Sequence, residues 1–414
     1  MNNKKKLAVI SSWKEACGIA SYTECLVPEF EKYYNVDIFS LKTEILNNTN
    51  KNISKMGDEL IKKIAEKIVD YDYVNIQFEV GLFGRTKTQV YNRLMKLVNA
   101  SNNLIITFHS INLNGMDIQL KNFIQSNPIK LLKQNMRENY WPNFYYNVFV
   151  KLKNLSKNKN INVIVHNKRD RDIIKRVTGF KNVYDFPLAL YNKEIRSREK
   201  DKIKAKNFKE KYNLAQDDKV IGLFGFVSLY KGHETAIKAL KYLPDNYKVV
   251  IFGAQHPHNI QSFTVIDKYL ERLLNLIENI DKEISKNKAE NSLLISQRVI
   301  FSGSATDDEF IDAMMYSDFV VLPYLEVNQM GSGVAANALE CKANILMSNT
   351  KCFHEIKKYF PNCFETFDIG NYFELSNQIL NWKNDYSSNI ERCLKYYNLE
   401  NNILNYKKIF EGTK

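Results

Sequence analysis

The chain has 414 residues, 59 Lys and Arg against 46 Asp and Glu, a formal charge of +13, 44% apolar residues, and 24 Phe with 24 Tyr. That length exceeds one ordinary domain and leaves enough apolar material for two cores, while only 15 Gly and 8 Pro exclude a fibrous or low-complexity chain. Cysteines at 17, 25, 341, 352, 363 and 393 form no C-x-x-C and no zinc-site spacing, which excludes a disulfide scaffold and predicts a reduced, cytoplasmic protein.

The opening MNNKKKLAVISS has four apolar residues before its serines, too few for a secretion signal. No stretch approaches the ~20 apolar residues of a membrane span. The positive charge has two readings. Codon bias in an AT-rich genome fills a solvated surface with Lys, or the charge attracts nucleotide phosphates or the inner face of a membrane, where the protein would sit peripherally. Nucleic acid is not expected as a partner, because no recognisable binding module accompanies the charge.

In chain order, short apolar runs predict strands at 7–11, 35–41, 74–79, 104–110, 162–167 and 183–190, separated by helical patterns. Within 114–160, aromatics and lysines around Trp141 and Pro142 read either as a helical insertion packed on the first domain or as an element meeting lipid headgroups. Beyond a charged segment, 193–213, the rhythm restarts with strands at 220–227, 247–254, 298–303, 317–324 and 343–349. Val265, Tyr269, Leu273, Leu276 and Ile280 fall near a helical period, and the stretch from Trp382 to Gly412 is also helical. Strands alternating with helices predict parallel sheets covered on both faces. The expected fold is α/β, with two Rossmann-like domains whose sheets face each other across a cleft. Residues 1–192 form the first domain, completed by a C-terminal helix, 395–414, that crosses back; residues 193–394 form the second.

The segment QMGSGVAAN, 329–337, follows a strand and leads into a helix. The turn Gly331, Ser332, Gly333 at a helix N-terminus leaves N–H groups free and turns the positive end of the dipole outward, which suits a phosphate. Gln329 and Asn337 flank it with amide side chains. Lys231 ends the loop GFVSLYKG, where its amine can neutralise a departing anion. His109 stands at the carboxyl end of the strand LIITF, where a neutral imidazole can bond a ligand hydroxyl. His166 closes NVIVHN in a comparable position, as a structural group or one that faces a ligand. Gly18, Ile19 and Ala20 follow the first strand, where small residues let backbone amides approach a ligand. Gln77 and Glu79 alternate along one strand and so share a face. Gly303 and Ser304 end the strand RVIFSG, where backbone atoms can approach a ligand. His233, His256, His258 and His354 form no metal-ligand spacing.

Taken together, CGIASYTECL (17–26), NIQFEVGLFG (75–84), TFHS (107–110), VIVHNKRDRDII (163–174), FGFVSLYKGHETAIKAL (224–240) and RVIFSGSATDDEFIDAMMYSDFVVLPY (298–324) resemble, in order, the blocks of the GT-B retaining glycosyltransferases called family four. The resemblance implies that the second domain holds the donor and the first the acceptor. It implies a nucleotide-sugar co-substrate, UDP- or GDP-linked, no cofactor and no metal, and retention at the anomeric carbon. Gly18, Ile19 and Ala20 would face the donor diphosphate, Lys231 and the amides of Gly331 to Gly333 would stabilise the leaving group, and Gln329 and His109 would position the sugar. The chain departs from the family at three places. Gln329 and Asn337 stand where the family has two glutamates, and Phe226 stands where it usually has an arginine.

The leading expectation is therefore a glycosyltransferase acting on a glycan or lipid-linked glycan in surface polysaccharide or glycoconjugate synthesis. The departures motivate an alternative, a catalytically weak GT-B-shaped binding or regulatory subunit. A third reading is a sugar-phosphate synthase or phosphorylase on the same fold.

Overall fold

The apolar runs form strands, and every strand pairing is parallel, as the alternation with helices requires. The computed structural model describes residues 4–15, 17–113, 141–255, 266–287, 293–327 and 329–412. The chain divides into two compact units: Met1–Leu190 with Asn328–Gly331 and Tyr397–Lys414, and Tyr191–Val327 with Ser332–Tyr396.

The first unit carries β1 (Lys6–Ser11), β2 (Asn35–Ser40), β3 (Tyr73–Phe78), β4 (Asn103–Phe108), β5 (Asn160–Val165) and β6 (Val183–Asp185). They form one sheet in the order β2-β1-β3-β4-β5-β6. Strand β3 is buried along its whole length, as expected for a parallel strand covered on both sides, yet it carries Asn75 and Gln77, which must find partners inside. β6 ends at Asp185 rather than at 190, and Pro187, which has no N–H for a ladder, lies in the stretch that leaves it.

Phe144, Tyr145, Val148, Phe149 and Leu152 of the helix Trp141–Leu155 enter this unit's core. The packed-insertion reading holds for that helix, and residues 114–140 lie outside the described residues. The C-terminal stretch is two helices, Ser387–Leu394 and Leu399–Glu411, because Asn398 caps the second by accepting from the Asn401 N–H at 2.8 Å. Leu399–Glu411 packs on β4 and on the helix Gly18–Glu31, with Tyr406 fully buried and edge-on to Phe30 at 5.2 Å.

The second unit carries β7 (Lys219–Phe224), β8 (Tyr247–Phe252), β9 (Val299–Gly303), β10 (Phe319–Leu322), β11 (Ile345–Ser348) and β12 (Glu365–Phe367), ordered β12-β11-β10-β7-β8-β9. Winding reverses between β7 and β10, the place where open parallel sheets bind ligands beyond their carboxyl ends. The periodic stretch around Tyr269 is the helix Lys268–Asn287, whose Leu273, Ile277 and Ile280 enter the core; Val265, His256 and His258 lie outside the described residues. Strand β12 has no counterpart in the sequence expectation.

Candidate functional site

At the reversal point of the second unit, two loops meet. After β7 the chain turns at Gly225 (φ +93°), where an added Cβ would lie 3.2 Å from the Lys231 Nζ and 3.5 Å from Val334. A short 3-10 turn, Leu229–Lys231, then ends at Gly232, with φ +65°. A Cβ at Gly232 would stand 2.0 Å from the Pro323 carbonyl oxygen, so only glycine lets this loop seat against the end of β10. The Leu325 N–H donating to the Tyr230 carbonyl at 2.7 Å ties the loops together.

Lys231 is thereby drawn inside, only 6% exposed. Its ammonium donates to the Tyr324 hydroxyl and lies 4.2 Å and 5.2 Å from the ring centres of Tyr324 and Tyr230. Among the described residues no carboxylate pairs with it, and burial pulls its pKa down to about 7. The Tyr324 hydroxyl lies 3.4 Å from the Ser332 Oγ. Ser332 in turn caps the helix Gly333–Glu340, accepting from the Ala335 N–H at 3.2 Å. The Ser348 hydroxyl, donating to the Tyr324 carbonyl at 2.6 Å, fixes the tyrosine backbone. The unit thus joins a buried, uncompensated amine, two hydroxyls and a helix N-terminus.

None of the described residues comes within 4 Å of a Cβ added at Gly333 or Gly303. Asn337, one turn into the same helix, has a buried Oδ1 with no hydrogen-bond partner among the described residues. Glu340 is instead engaged by the Tyr191 N–H at 3.1 Å. Gly303 ends β9 with φ +77°, and Ser304 is exposed beside it. Phe226 is 37% exposed just beyond Gly225.

The other expected residues lie in the first unit. Gln329 has no hydrogen-bond partner among the described residues. Its neighbour Met330 is buried in the first core and accepts from Asn167 at 3.0 Å, and a Cβ on Gly331 would meet Leu188 at 2.9 Å. The turn expected from Gly331 to Gly333 is therefore split, with Gly331 in one unit and Ser332 and Gly333 in the other. Gly18 opens the helix Gly18–Glu31 with nothing within 4 Å of an added Cβ; Ile19 and Ala20 pack inward, Ala20 fully buried. Glu79 does not continue β3 beside Gln77: it leaves the strand and caps the helix Val80–Phe83, accepting from the Val80 N–H at 3.1 Å, and burial raises its pKa.

Both nitrogens of His109 are occupied, Nε2 by the Gln77 Oε1 at 2.8 Å and Nδ1 by the His166 Nε2 at 3.2 Å. Burial, and then the neighbouring His166, hold the His109 pKa well below its ordinary value; burial brings His166 to about 4. Sequence reasoning passed over Tyr324, although a phenol directly after a strand and its proline, beside the reversal point, was visible. It also passed over Asn75, a polar residue inside an apolar strand. Among the described residues no three His, Cys, Asp or Glu converge on a metal position, and no helix is long and apolar enough to cross a membrane.

Residues 204–395 match the family described as Glycosyl transferases group 1. Among curated proteins none matches the sequence. The fold is similar to that of HepE of Anabaena in complex with UDP, at TM-score 0.64 and 13% identity over 97% of this chain and 99% of that one. It is similar to sucrose-phosphate synthase of Thermosynechococcus elongatus, at 0.62 and 16% over 99% of each chain. WaaG, a glycosyltransferase involved in lipopolysaccharide biosynthesis, matches at 0.60 and 13% over 98% of this chain and 100% of that one. At these identities the likeness speaks for the fold alone, which is GT-B. The matched stretch, 204–395, includes the Lys231 loop and the helix Gly333–Glu340.

Proposed function

We propose that this protein transfers a sugar from a nucleotide-diphosphate sugar to a glycan or lipid-linked glycan, with retention at the anomeric carbon. The observation that carries this reading is Lys231, a buried amine at the reversal point with no carboxylate among the described residues to balance it. Such a group is poised for an anion brought by a ligand. A diphosphate leaving group fits, because its charge grows as the sugar–oxygen bond breaks and a fixed cation in a dry site then acts most strongly. The N-terminus of Gly333–Glu340 adds its dipole to the same task. The orphaned Asn337 Oδ1 would accept from a ribose hydroxyl, and Gly303 and Ser304 would lie along the base.

In the reaction, the bond from the anomeric carbon to the diphosphate oxygen breaks and one to the acceptor oxygen forms on the same face. The acceptor's proton passes to the departing diphosphate. No side-chain carboxylate is required as base or nucleophile, which accommodates the amides at Gln329 and Asn337. Gly18, Gln329 and the His109 region would serve the sugar and acceptor, with Gln77, Glu79 and His166 on the acceptor side. No cofactor or metal enters these steps. UDP is the first nucleotide to test, since HepE binds it and also UDP-glucose. Peripheral contact with the inner membrane face and a place in surface-glycan synthesis belong to the same proposal.

Calorimetry with UDP, GDP and their sugar conjugates tests it. Micromolar to low-millimolar binding, lost in Lys231→Ala, is expected. The reading fails if every nucleotide is ignored by the parent, or if Lys231→Ala binds as the parent does.

A further inference from the structure

The first unit carries a polar chain whose protonation the steps above leave unstated. It begins at the main-chain carbonyl of Phe186, 3.3 Å from the His166 Nδ1. His166 Nε2 meets His109 Nδ1 at 3.2 Å, and His109 Nε2 meets the Gln77 Oε1 at 2.8 Å. Gln77 Nε2 donates to the Asn75 Oδ1 at 2.7 Å, and Asn75 Nδ2 donates to the Ile105 carbonyl at 3.2 Å. Asn75 and Gln77 are fully buried, His166 is 4% exposed, and His109 is partly exposed.

The chain has five contacts and so needs five hydrogens. Both ends are carbonyl oxygens, which only accept. Each of the four side chains between them, when neutral, offers one donor and one acceptor to its two neighbours in the chain. Four hydrogens therefore serve five contacts. Turning an amide or changing an imidazole tautomer moves the shortage along the chain without removing it. The Thr107 hydroxyl, 3.5 Å from Asn75, is bonded to Tyr406 at 2.6 Å and cannot separate a pair of oxygens facing each other at Ile105. Amides do not protonate in this range, so the fifth hydrogen belongs on an imidazole.

We propose that His109 and His166 together hold one proton more than two neutral rings, seated on His109 so that both its nitrogens donate, with Gln77 and His166 as the positioning residues. Burial pulls the His109 ring toward its neutral form, but that ring is only partly buried, and the acceptors fixed on both its sides outweigh the pull. A second proton is excluded, because His166 would then have to donate to a ring that is already donating to it. Several titratable or charged groups stand on the elements around the pair. Tyr22 is edge-on to both rings at 5.5 Å and 5.6 Å. Glu79 is bonded to Ser110 and the Val80 N–H. Tyr145 lies 3.4 Å from the Ser110 hydroxyl, Tyr406 is bonded to Thr107 and Gln77, and Asp170, paired with Arg169 at 3.1 Å, accepts from Asn167. This inference rests on the geometry of the first unit and not on the donor reading, so either can fail alone.

The test is nitrogen-15 NMR of histidine-labelled full-length protein at pH 7, with the pair assigned by its absence in His166→Gln. Expected are one ring protonated at both nitrogens and one ring neutral with its proton on Nδ1. Gln77→Glu should hold the extra proton to higher pH by about one unit or more, because the acceptor becomes charged. Gln77→Met should release it and leave two neutral rings. Two neutral rings in the parent at pH 7, or a Gln77→Met protein that titrates like the parent, would overturn the proposal.

Discussion

Lys231 is where charge, burial and chemistry meet in the second unit. Its amine would have a pKa of 10.5 in an unconstrained chain and is held at about 7 in the fold. Between those values the unfolded chain binds the extra proton, so this group makes the ligand-free protein more stable as pH rises from 7 toward 10.5. Lys231→Met should flatten that rise and unfold at higher denaturant than the parent at pH 7 and below, in urea titrations across the range. Nucleotide affinity should move the other way, weakening by up to about tenfold per pH unit above 7 as the amine loses its charge. Gly232→Ala should cost about 2 kcal/mol or more in the same titrations, because its φ of +65° and the Pro323 oxygen 2.0 Å from the new Cβ leave no relaxed geometry. Lys231 was legible in the sequence because a loop after an apolar strand displays its last cation. Tyr324 was passed over, since nothing in a sequence says that a phenol will bridge an amine and a helix cap. The commitment of both His109 nitrogens was equally hidden, because Gln77 and His166 meet it from different strands.

At the scale of elements, caps and the closing helix decide what stays in place. Ser332→Ala removes the cap of Gly333–Glu340 and the second partner of the Tyr324 hydroxyl. It should cost about 1 kcal/mol and weaken nucleotide binding several-fold, measured by unfolding and calorimetry on the same variant. Tyr406→Ala should cost about 3–5 kcal/mol, because the ring is fully buried against Phe30 and its hydroxyl meets Thr107 at 2.6 Å. Long strands such as β1, β4, β7 and β8 were legible because both sheet faces are covered and their apolar runs are unbroken. The end of β6 was set too late, since the apolar residues after Pro187 keep their burial without a ladder. β12 escaped notice because three residues hold no periodicity. The final helical stretch read as one piece, since an asparagine cap at 398 looks like any polar position until its N–H partner is seen.

The whole molecule is divided in a way that sequence order conceals. The first unit takes its last pieces from 328–331 and from 397–414, so it is not a contiguous segment. Met330 fills its core, and Tyr406 and Asn402 sit wholly inside it. A fragment ending at residue 190 should therefore lack a cooperative unfolding transition, while the same fragment fused through a flexible linker to 397–414 should regain much of it, as judged by circular dichroism in denaturant. In hydrogen-exchange measurements, bound nucleotide should slow exchange first in 225–233 and 332–337, where the two loops of the second unit meet. The late arrival of the closing helix also sets an order of events during synthesis. At about 5–20 residues per second, the ribosome finishes every strand of both sheets before Tyr406 emerges. The unit that is begun first thus still waits for a helix after both sheets are made, and until Tyr406 emerges it must keep a helix-sized furrow of aromatic surface away from other nascent chains.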